Sequence, residues 1–281
     1  MFRNEDMDKD QSATFETRSD THELALSLIE VNGICKNNEL HFWLNYGALL
    51  GMVREGRLLP WNNDVELGCW AHNTSKDKIK AIVDQLNLAG YTCFYFSSFG
   101  TLSIKKGDRV EININFYWIV DEFAVRPHET ACKYRENNFL ASLFYWLAVF
   151  IFMYPNSIQP FFRSRKIKDF TKIAVSRLFS SLRPQTRRRF FDKLIEWSEY
   201  WGGVFQQTAI PKMYFSGFTE SKFYGSEMTF PNEPEKLLAF IYGEDWRIPK
   251  DNWSFYDETN KAHTGMIFID EKFDYKPMDI F

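Results

Sequence analysis

A chain of 281 residues can bury one large core and shape a cleft, but is short for two independent domains. Its 34 basic and 37 acidic residues leave a formal net charge of -3, which excludes whole-chain attraction to nucleic acid or any general polyanion, so a basic surface has to be local. Aromatics make up 18% of the residues, with 28 Phe, a share that calls for many apolar anchors or for contact with lipid. The cysteines Cys35, Cys69, Cys93 and Cys132 form no CxxC pair, which argues against a zinc knuckle or a dense disulfide framework and leaves buried free thiols as the expectation. The five histidines show no H-x-x-x-H or HExxH spacing.

Residues 1–20 are polar and mixed in charge, without apolar periodicity. They read as a disordered lead-in with no secretory signal, and the expected location is the cytoplasm. Thr21 is the expected cap of an amphipathic helix over 22–35, whose stripe includes Leu24, Leu28 and Ile29. The stretch HFWLNYGALLGMVREGRLLPWNNDVELGCW then packs a short apolar strand, a glycine turn into a helix, a polar turn and a second strand into about thirty residues. Such punctuation suits an α/β or α+β core. A helix is expected over 78–88, stopped by Gly90, followed by strands over 91–96 and 101–105. In VEININFYWIV, Val110, Ile112 and Ile114 alternate with Glu111, Asn113 and Asn115, which predicts a strand with one polar face.

Residues 139–154, FLASLFYWLAVFIFMY, carry no charge but fall short of the roughly 20 apolar residues a membrane-spanning helix needs. From Arg163 to Arg189 there are ten basic residues against Asp169 alone, interleaved with apolar residues at helical spacing, which predicts a basic amphipathic helix. Apolar run and basic helix together are consistent with attachment to an anionic membrane surface, and equally with a packed helical insertion whose arginines face water. A helix over 192–200 and a short helix opened by Pro234 and closed by Gly243 complete the chain. The resulting division is 1–20 lead-in, 21–130 core, 131–200 helical insertion, and 201–281 returning to the core.

Asp64 and Glu66 carry the strongest chemical signal. At i and i+2 of a strand they share a side and can bind one hard divalent cation together. Glu111, on the polar-faced strand, is the candidate third carboxylate, because phosphoryl transfer needs oxygen ligands that leave positions open for phosphate oxygens. Upstream, Tyr46-Gly47-Ala48-Leu49-Leu50-Gly51 sets a glycine at a strand-to-helix turn, where backbone N–H groups and the positive helix end can hold a phosphate. Arg54 and Arg57 are placed to offer forked hydrogen bonds to a diphosphate, or are ordinary surface arginines. Trp61 either stacks on a base or on choline, or packs the turn.

The segment FWLNYGALLGMVREGRLLPWNNDVELG resembles the hallmark of the LicD/fukutin family: a strand, a G-x-LLG turn, an R-x-G and a PW-acidic run in this order. FPNEPEKLLAFIYGEDW is similar to that family's closing segment, with Tyr242, Gly243 and Trp246 in the matching places. The resemblance covers about residues 22–120 and 215–250. It implies a nucleotidyltransferase-like core with a small mixed sheet flanked by helices. It also implies Mg²⁺ (or Mn²⁺) dependence and transfer of phosphocholine or a similar phospho-alcohol from a CDP-activated donor to a hydroxyl of a glycan or glycolipid, with no nucleic-acid partner. Carried over, Gly47 is the turn glycine, Asp64 and Glu66 are the metal-binding acids, and Glu111 or Asn113 holds the third acidic position. The chain departs from the family in Asn62, Asn63 and Glu66, where aspartates are common, and in Glu-Ile-Asn on the later strand. Those departures keep open a catalytically silent glycan- or lipid-binding member, and a second enzyme reading on the same fold is a true nucleotidyltransferase that releases pyrophosphate.

Overall fold

The computed structural model describes residues 6–62, 64–96, 100–107, 110–134, 138–153, 184–250 and 267–269. Helix α1, Asp6–Asn37, lays Leu24, Leu28, Val31 and Cys35 into the core. Thr21 falls inside this helix and does not cap it, since nothing between 6 and 20 is a proline or glycine that would break the backbone. Strand β1, Phe42–Leu44, is buried throughout and leads through Asn45 into α2, Tyr46–Glu55, which ends on Gly56 in the left-handed conformation at φ +66. After the polar turn, β2 spans Val65–Trp70. This is the strand, turn, helix and strand order expected from sequence.

Helix α3, Lys76–Leu88, starts slightly earlier than expected because the Ser75 hydroxyl accepts a hydrogen bond from the Lys78 amide at 3.3 Å, an N-cap. Strands β3, Thr92–Phe96, and β4, Thr101–Lys106, form a hairpin against β5, Val110–Val120. Strand β6 is Phe123–Tyr134, and helices α4, Phe139–Met153, and α5, Pro184–Tyr200, follow. β6 runs past the expected insertion boundary at 131, and α5 starts well before Asp192, at a proline whose fixed φ suits the first helical position. Most of the expected basic helix lies outside the described residues. Strands β7, Gly203–Pro211, β8, Phe218–Phe223, and β9, Ser226–Pro231, precede α6, Pro234–Tyr242, with Gly243 at its end, and a last strand, β10, spans Ile267–Ile269.

Among the described residues eight strands form one mixed sheet, larger than the small sheet expected, with helices against it. β2 and β5 run parallel, flanked by antiparallel β1 on one side and β4 and β3 on the other. The end of β5 turns back into β6, which pairs with β7, and β7 with β10. β8 and β9 make a separate hairpin through Tyr224 and Gly225, both at positive φ (51 and 80), the geometry a two-residue hairpin turn requires. The helical pair α4–α5 is therefore inserted between two strands that are neighbours in the sheet. No helix among the described residues is long and apolar enough to cross a membrane.

Core packing centres on Trp43, whose ring lies 5.1 Å from Trp70, 5.3 Å from Phe215 and 5.1 Å from Phe218. Such aromatic pairs each contribute about 0.5–1.5 kcal/mol beyond their area burial. Gly68 on β2 leaves room for that ring, since a Cβ there would overlap the indole. Gly68→Ala is expected to lower stability by about 1–3 kcal/mol, because a boxed-in indole cannot move aside. An unchanged urea midpoint for the variant would show that Trp43 can shift. Cys35 and Cys69 are buried free thiols, and Cys93, also free, is half-buried. Burial pushes the Cys35 and Cys93 thiols up to about 12 and Cys69 higher still, so all three stay protonated near neutral pH.

Candidate active site

The parallel register of β2 on β5 sets Glu66 beside Asn113. Asp64 stands in the bend just before β2, and Asn113 Nδ2 donates to its Oδ2 at 3.2 Å. Two acids and one amide thus share one polar edge, as the alternation of β5 requires. Glu111 is not drawn into this group. The antiparallel register of β4 puts Lys105 opposite it, and Lys105 Nζ lies 2.9 Å from Glu111 Oε2. Ser103 Oγ donates to the other carboxylate oxygen at 3.5 Å. Among the described residues no three His, Cys, Asp or Glu side chains stand close enough to hold a metal ion together. In this conformation Asp64 and Glu66 therefore form a two-carboxylate edge, with Asn113 in the third place.

A cation that sequence reading did not single out faces this edge. Arg126 of β6 is almost fully buried, with Nη1 4.0 Å from Glu66 Oε1. A charge that far from water needs a counter-charge, and Glu66 is one. Around them lie phenol groups from three distant segments. Asn45 Nδ2 donates to Tyr117 Oη at 2.8 Å, and Tyr117 Oη donates to Tyr46 Oη at 3.3 Å. Burial raises the pKa of Tyr46, Tyr117 and Tyr242 above the usual tyrosine range, with the Glu66 carboxylate acting in the same direction. All three remain neutral hydroxyls at physiological pH, able to donate hydrogen bonds but unsuited to act as bases. The fully buried Asn45 Oδ1 has no hydrogen-bond partner among the described residues.

Helix α2 points its first turn at this edge, tied there by the Asn45 amide, which donates to the Glu66 carbonyl at 3.1 Å. Asn45 makes no side-chain capping bond, so the first N–H groups of the helix keep capacity for an anion. The strained residue in the turn is Tyr46, at φ +41, not Gly47. A non-glycine residue held there costs on the order of 1–3 kcal/mol, and such strain clusters at functional sites. Gly47 is required for space instead: a Cβ would overlap Asn62 Nδ2, which holds the polar turn against the helix start.

The remaining expected residues fall into two groups. Arg54 and Arg57 are both engaged by Glu55, with Arg54 Nη2 at 3.0 Å and Arg57 Nη2 at 3.2 Å from its carboxylate. Arg54 Nη1 also donates to the Trp246 carbonyl at 3.4 Å, and its guanidinium lies 5.7 Å from the centre of the exposed Trp61 ring. These contacts tie the closing segment to the hallmark helix. Leu50, by contrast, is buried among core side chains, so its contribution is packing. Tyr242 arrives on α6, which packs against α2, and its pKa responds to both Glu66 and Asp64, so the carboxy-terminal segment completes the site. The tyrosines carried a usable signal, since Tyr46 and Tyr242 belong to the two segments that matched a family pattern. Arg126 carried none.

Residues 39–148 match the family model described as LicD/FKTN/FKRP, nucleotidyltransferase domain. The match runs from β1 into α4, and over that part the chain is similar to the LicD/fukutin family. Among curated proteins, Bromodomain-containing factor 2 of Saccharomyces cerevisiae is 31% identical over 83 residues, 28% of this chain. The aligned part is 13% of that protein's own length, and nothing about activity follows from it. Among solved structures, ANT(2'')-Ia in complex with adenylyl-2''-tobramycin is 14% identical, covering 63% of this chain and 98% of that one at a TM-score of 0.29. A solution structure of the antibiotic-resistance factor ANT(2'')-Ia is likewise 14% identical, covering 64% and 94% at 0.30. At those scores neither likeness bears on the site.

Proposed function

We propose that the protein is a cytoplasmic phosphotransferase that moves phosphocholine or a similar phospho-alcohol from a CDP-activated donor to a hydroxyl of a glycan or glycolipid. The observation that carries this reading is the pairing of Asp64 and Glu66 beside the uncapped start of α2, an acidic edge next to an anion-binding helix end. Two carboxylates and an amide oxygen are hard donors that suit one Mg²⁺ or Mn²⁺, with room for water and phosphate oxygens. A bound cation there supplies charge neutralisation on the donor diphosphate. The N–H groups at the start of α2 and the Arg126 guanidinium orient that diphosphate, and the neutral Tyr46, Tyr117 and Tyr242 hydroxyls stabilise charge as it develops without taking protons.

In the transfer itself, the acceptor hydroxyl oxygen bonds to the phosphorus bearing the alcohol, the bond from that phosphorus to the CMP oxygen breaks, and CMP leaves. Glu111 takes the acceptor's proton, and its ion pair with Lys105 has to open for this. The test is CMP release from CDP-choline, CDP-ethanolamine, CDP-ribitol and CDP-glycerol with Mg²⁺ and glycan or lipid extracts. Release of CMP from one donor supports the reading, while pyrophosphate release from a nucleoside triphosphate would replace it with true nucleotidyl transfer. A silent binding protein is the second reading, favoured by Asn113 standing where a third acid is expected. No CMP from any donor, together with no Mg²⁺ binding by calorimetry, would establish it.

A further inference from the structure

The polar turn between α2 and β2 keeps its largest apolar side chain out of the core. Leu58 and Leu59 are buried, the Asn62 amide donates to the Leu59 carbonyl at 3.0 Å, and the Asn62 side chain lies against Gly47 at the start of α2, so the turn is held from both ends. Trp61, between those anchors, is 57% exposed. A tryptophan that packed the turn would be covered, and a ring left in water forgoes most of its burial energy. Arg54 faces it, with the guanidinium carbon 5.7 Å from the ring centre. The Arg54 side chain keeps only 10% of its exposure; Glu55 takes Nη2 and the Trp246 carbonyl takes Nη1, yet Nε is buried with no hydrogen-bond partner among the described residues. A buried donor left without an acceptor is costly. The same side chain borders the acidic edge: burial raises the pKa of Tyr242, Glu66 and Asp64 raise it further, and Arg54 lowers it. Exposed ring and unsatisfied donor thus adjoin the acids and the uncapped start of α2.

The chemistry of this pair selects what lies on it. An open indole face suits a planar group. The guanidinium beside the ring disfavours a second cation on the same face, such as a trimethylammonium group. The buried Nε–H calls for an acceptor at the edge of whatever covers the ring. A nucleobase meets all three conditions, being flat and neutral with carbonyl and ring-nitrogen acceptors along its edge, and bases stack on tryptophan and on arginine planes whatever their identity. Reach agrees as well. Trp61 precedes Asp64 by three positions, so their Cα atoms lie at most about 11 Å apart, a span that one ribose between base and phosphate can bridge. We infer that Trp61 is the stacking platform for the nucleobase of the donor nucleotide, with Arg54 donating to an acceptor on the base's edge. The inference rests on the proposed reading of the acidic edge as the site of a nucleotide's diphosphate.

The experiment is calorimetric titration of the full chain with CDP and with inorganic pyrophosphate, each with Mg²⁺, comparing wild type with Trp61→Ala and Trp61→Phe. Stacking on an aromatic side chain is worth roughly tenfold to a hundredfold in affinity per base, so Trp61→Ala is expected to weaken CDP binding by that factor. Pyrophosphate, which has no base, should bind the variant as it binds wild type. Trp61→Phe keeps a ring and should retain most of the CDP affinity. Thermal melting of each variant separates lost binding from lost fold, and CDP should quench the tryptophan emission of wild type more than that of Trp61→Phe, a readout that stands even where the alanine variant fails to fold. CDP bound equally by wild type and folded Trp61→Ala would overturn the inference and leave the donor reading intact. So would a loss of CDP-choline affinity without loss of CDP affinity, which would assign the ring to the alcohol, or a weaker response to glycan extract alone, which would assign it to the acceptor. If CDP does not bind while ATP or GTP does, and that binding falls in Trp61→Ala, the stacking role stands and the CDP-donor reading falls. No nucleotide bound by wild type would overturn both.

Discussion

Asp64→Ala is expected to reduce CMP release by on the order of 10³-fold while the protein stays folded, because removing one preorganised charge-stabilising group from a phosphoryl-transfer site typically costs about 10²–10³ in rate. The structural cost is small by comparison. Asp64 is half-buried, and the interactions lost include its hydrogen bond from Asn113, worth about 1 kcal/mol. Asp64→Asn keeps the shape and the possibility of an amide contact but removes the charge, so it should be nearly as inactive as the alanine variant. That pairing separates charge from packing. Steady-state CMP release with thermal melting of each purified variant checks both parts, and a folded Asp64→Ala enzyme that keeps its turnover would end the metal-edge assignment.

Arg126→Met should produce two effects of opposite sign. With the guanidinium gone, Glu66 loses the cation 4.0 Å from its carboxylate, so a divalent ion no longer competes with a fixed positive charge, and Mg²⁺ affinity by calorimetry should rise several-fold. CMP release should nevertheless fall on the order of 10²-fold, since the donor diphosphate loses its forked partner. The fold should weaken by about 1–2 kcal/mol, less than for a fully buried pair, because the Glu66 side chain keeps 30% of its exposure. A purely structural arginine would lower stability without raising metal affinity, so unchanged Mg²⁺ binding would reduce Arg126 to a packing role. Arg126→Lys should retain the charge and part of the rate while losing the bidentate geometry.

The legibility of this site in the sequence divides along the distance over which each contact acts. The unit from β1 through α2 to β2 was readable because its signals are local: an apolar run, a glycine at the turn, and acids at i and i+2. The polar face of β5 was readable for the same reason, as was α6, bounded by Pro234 and Gly243. What could not be read is register. Only the parallel pairing of β2 on β5 decides that Asn113, not Glu111, meets the acid pair, and only the antiparallel pairing of β4 delivers Lys105 to Glu111. Neither pairing leaves a trace in spacing along one strand. Arg126 was invisible because a single arginine in a strand looks like a solvent-facing residue until the neighbouring strands bury it. The hydroxyls of the three phenols acquired a role only when α2, β5 and α6 came together.

The helical hairpin leaves β6 near Tyr134 and returns at Gly203, two residues that are direct partners in the sheet. Its entrance and exit are thus one doorway, and the strands on either side pair whatever lies beyond it. Because the closure entropy of a loop grows only by about 0.6 kcal/mol for each doubling of its length, such a cassette can lengthen, shorten or change composition at little thermodynamic cost to the acidic edge. The insertion can therefore change in evolution while the strands that frame the acidic edge stay in place.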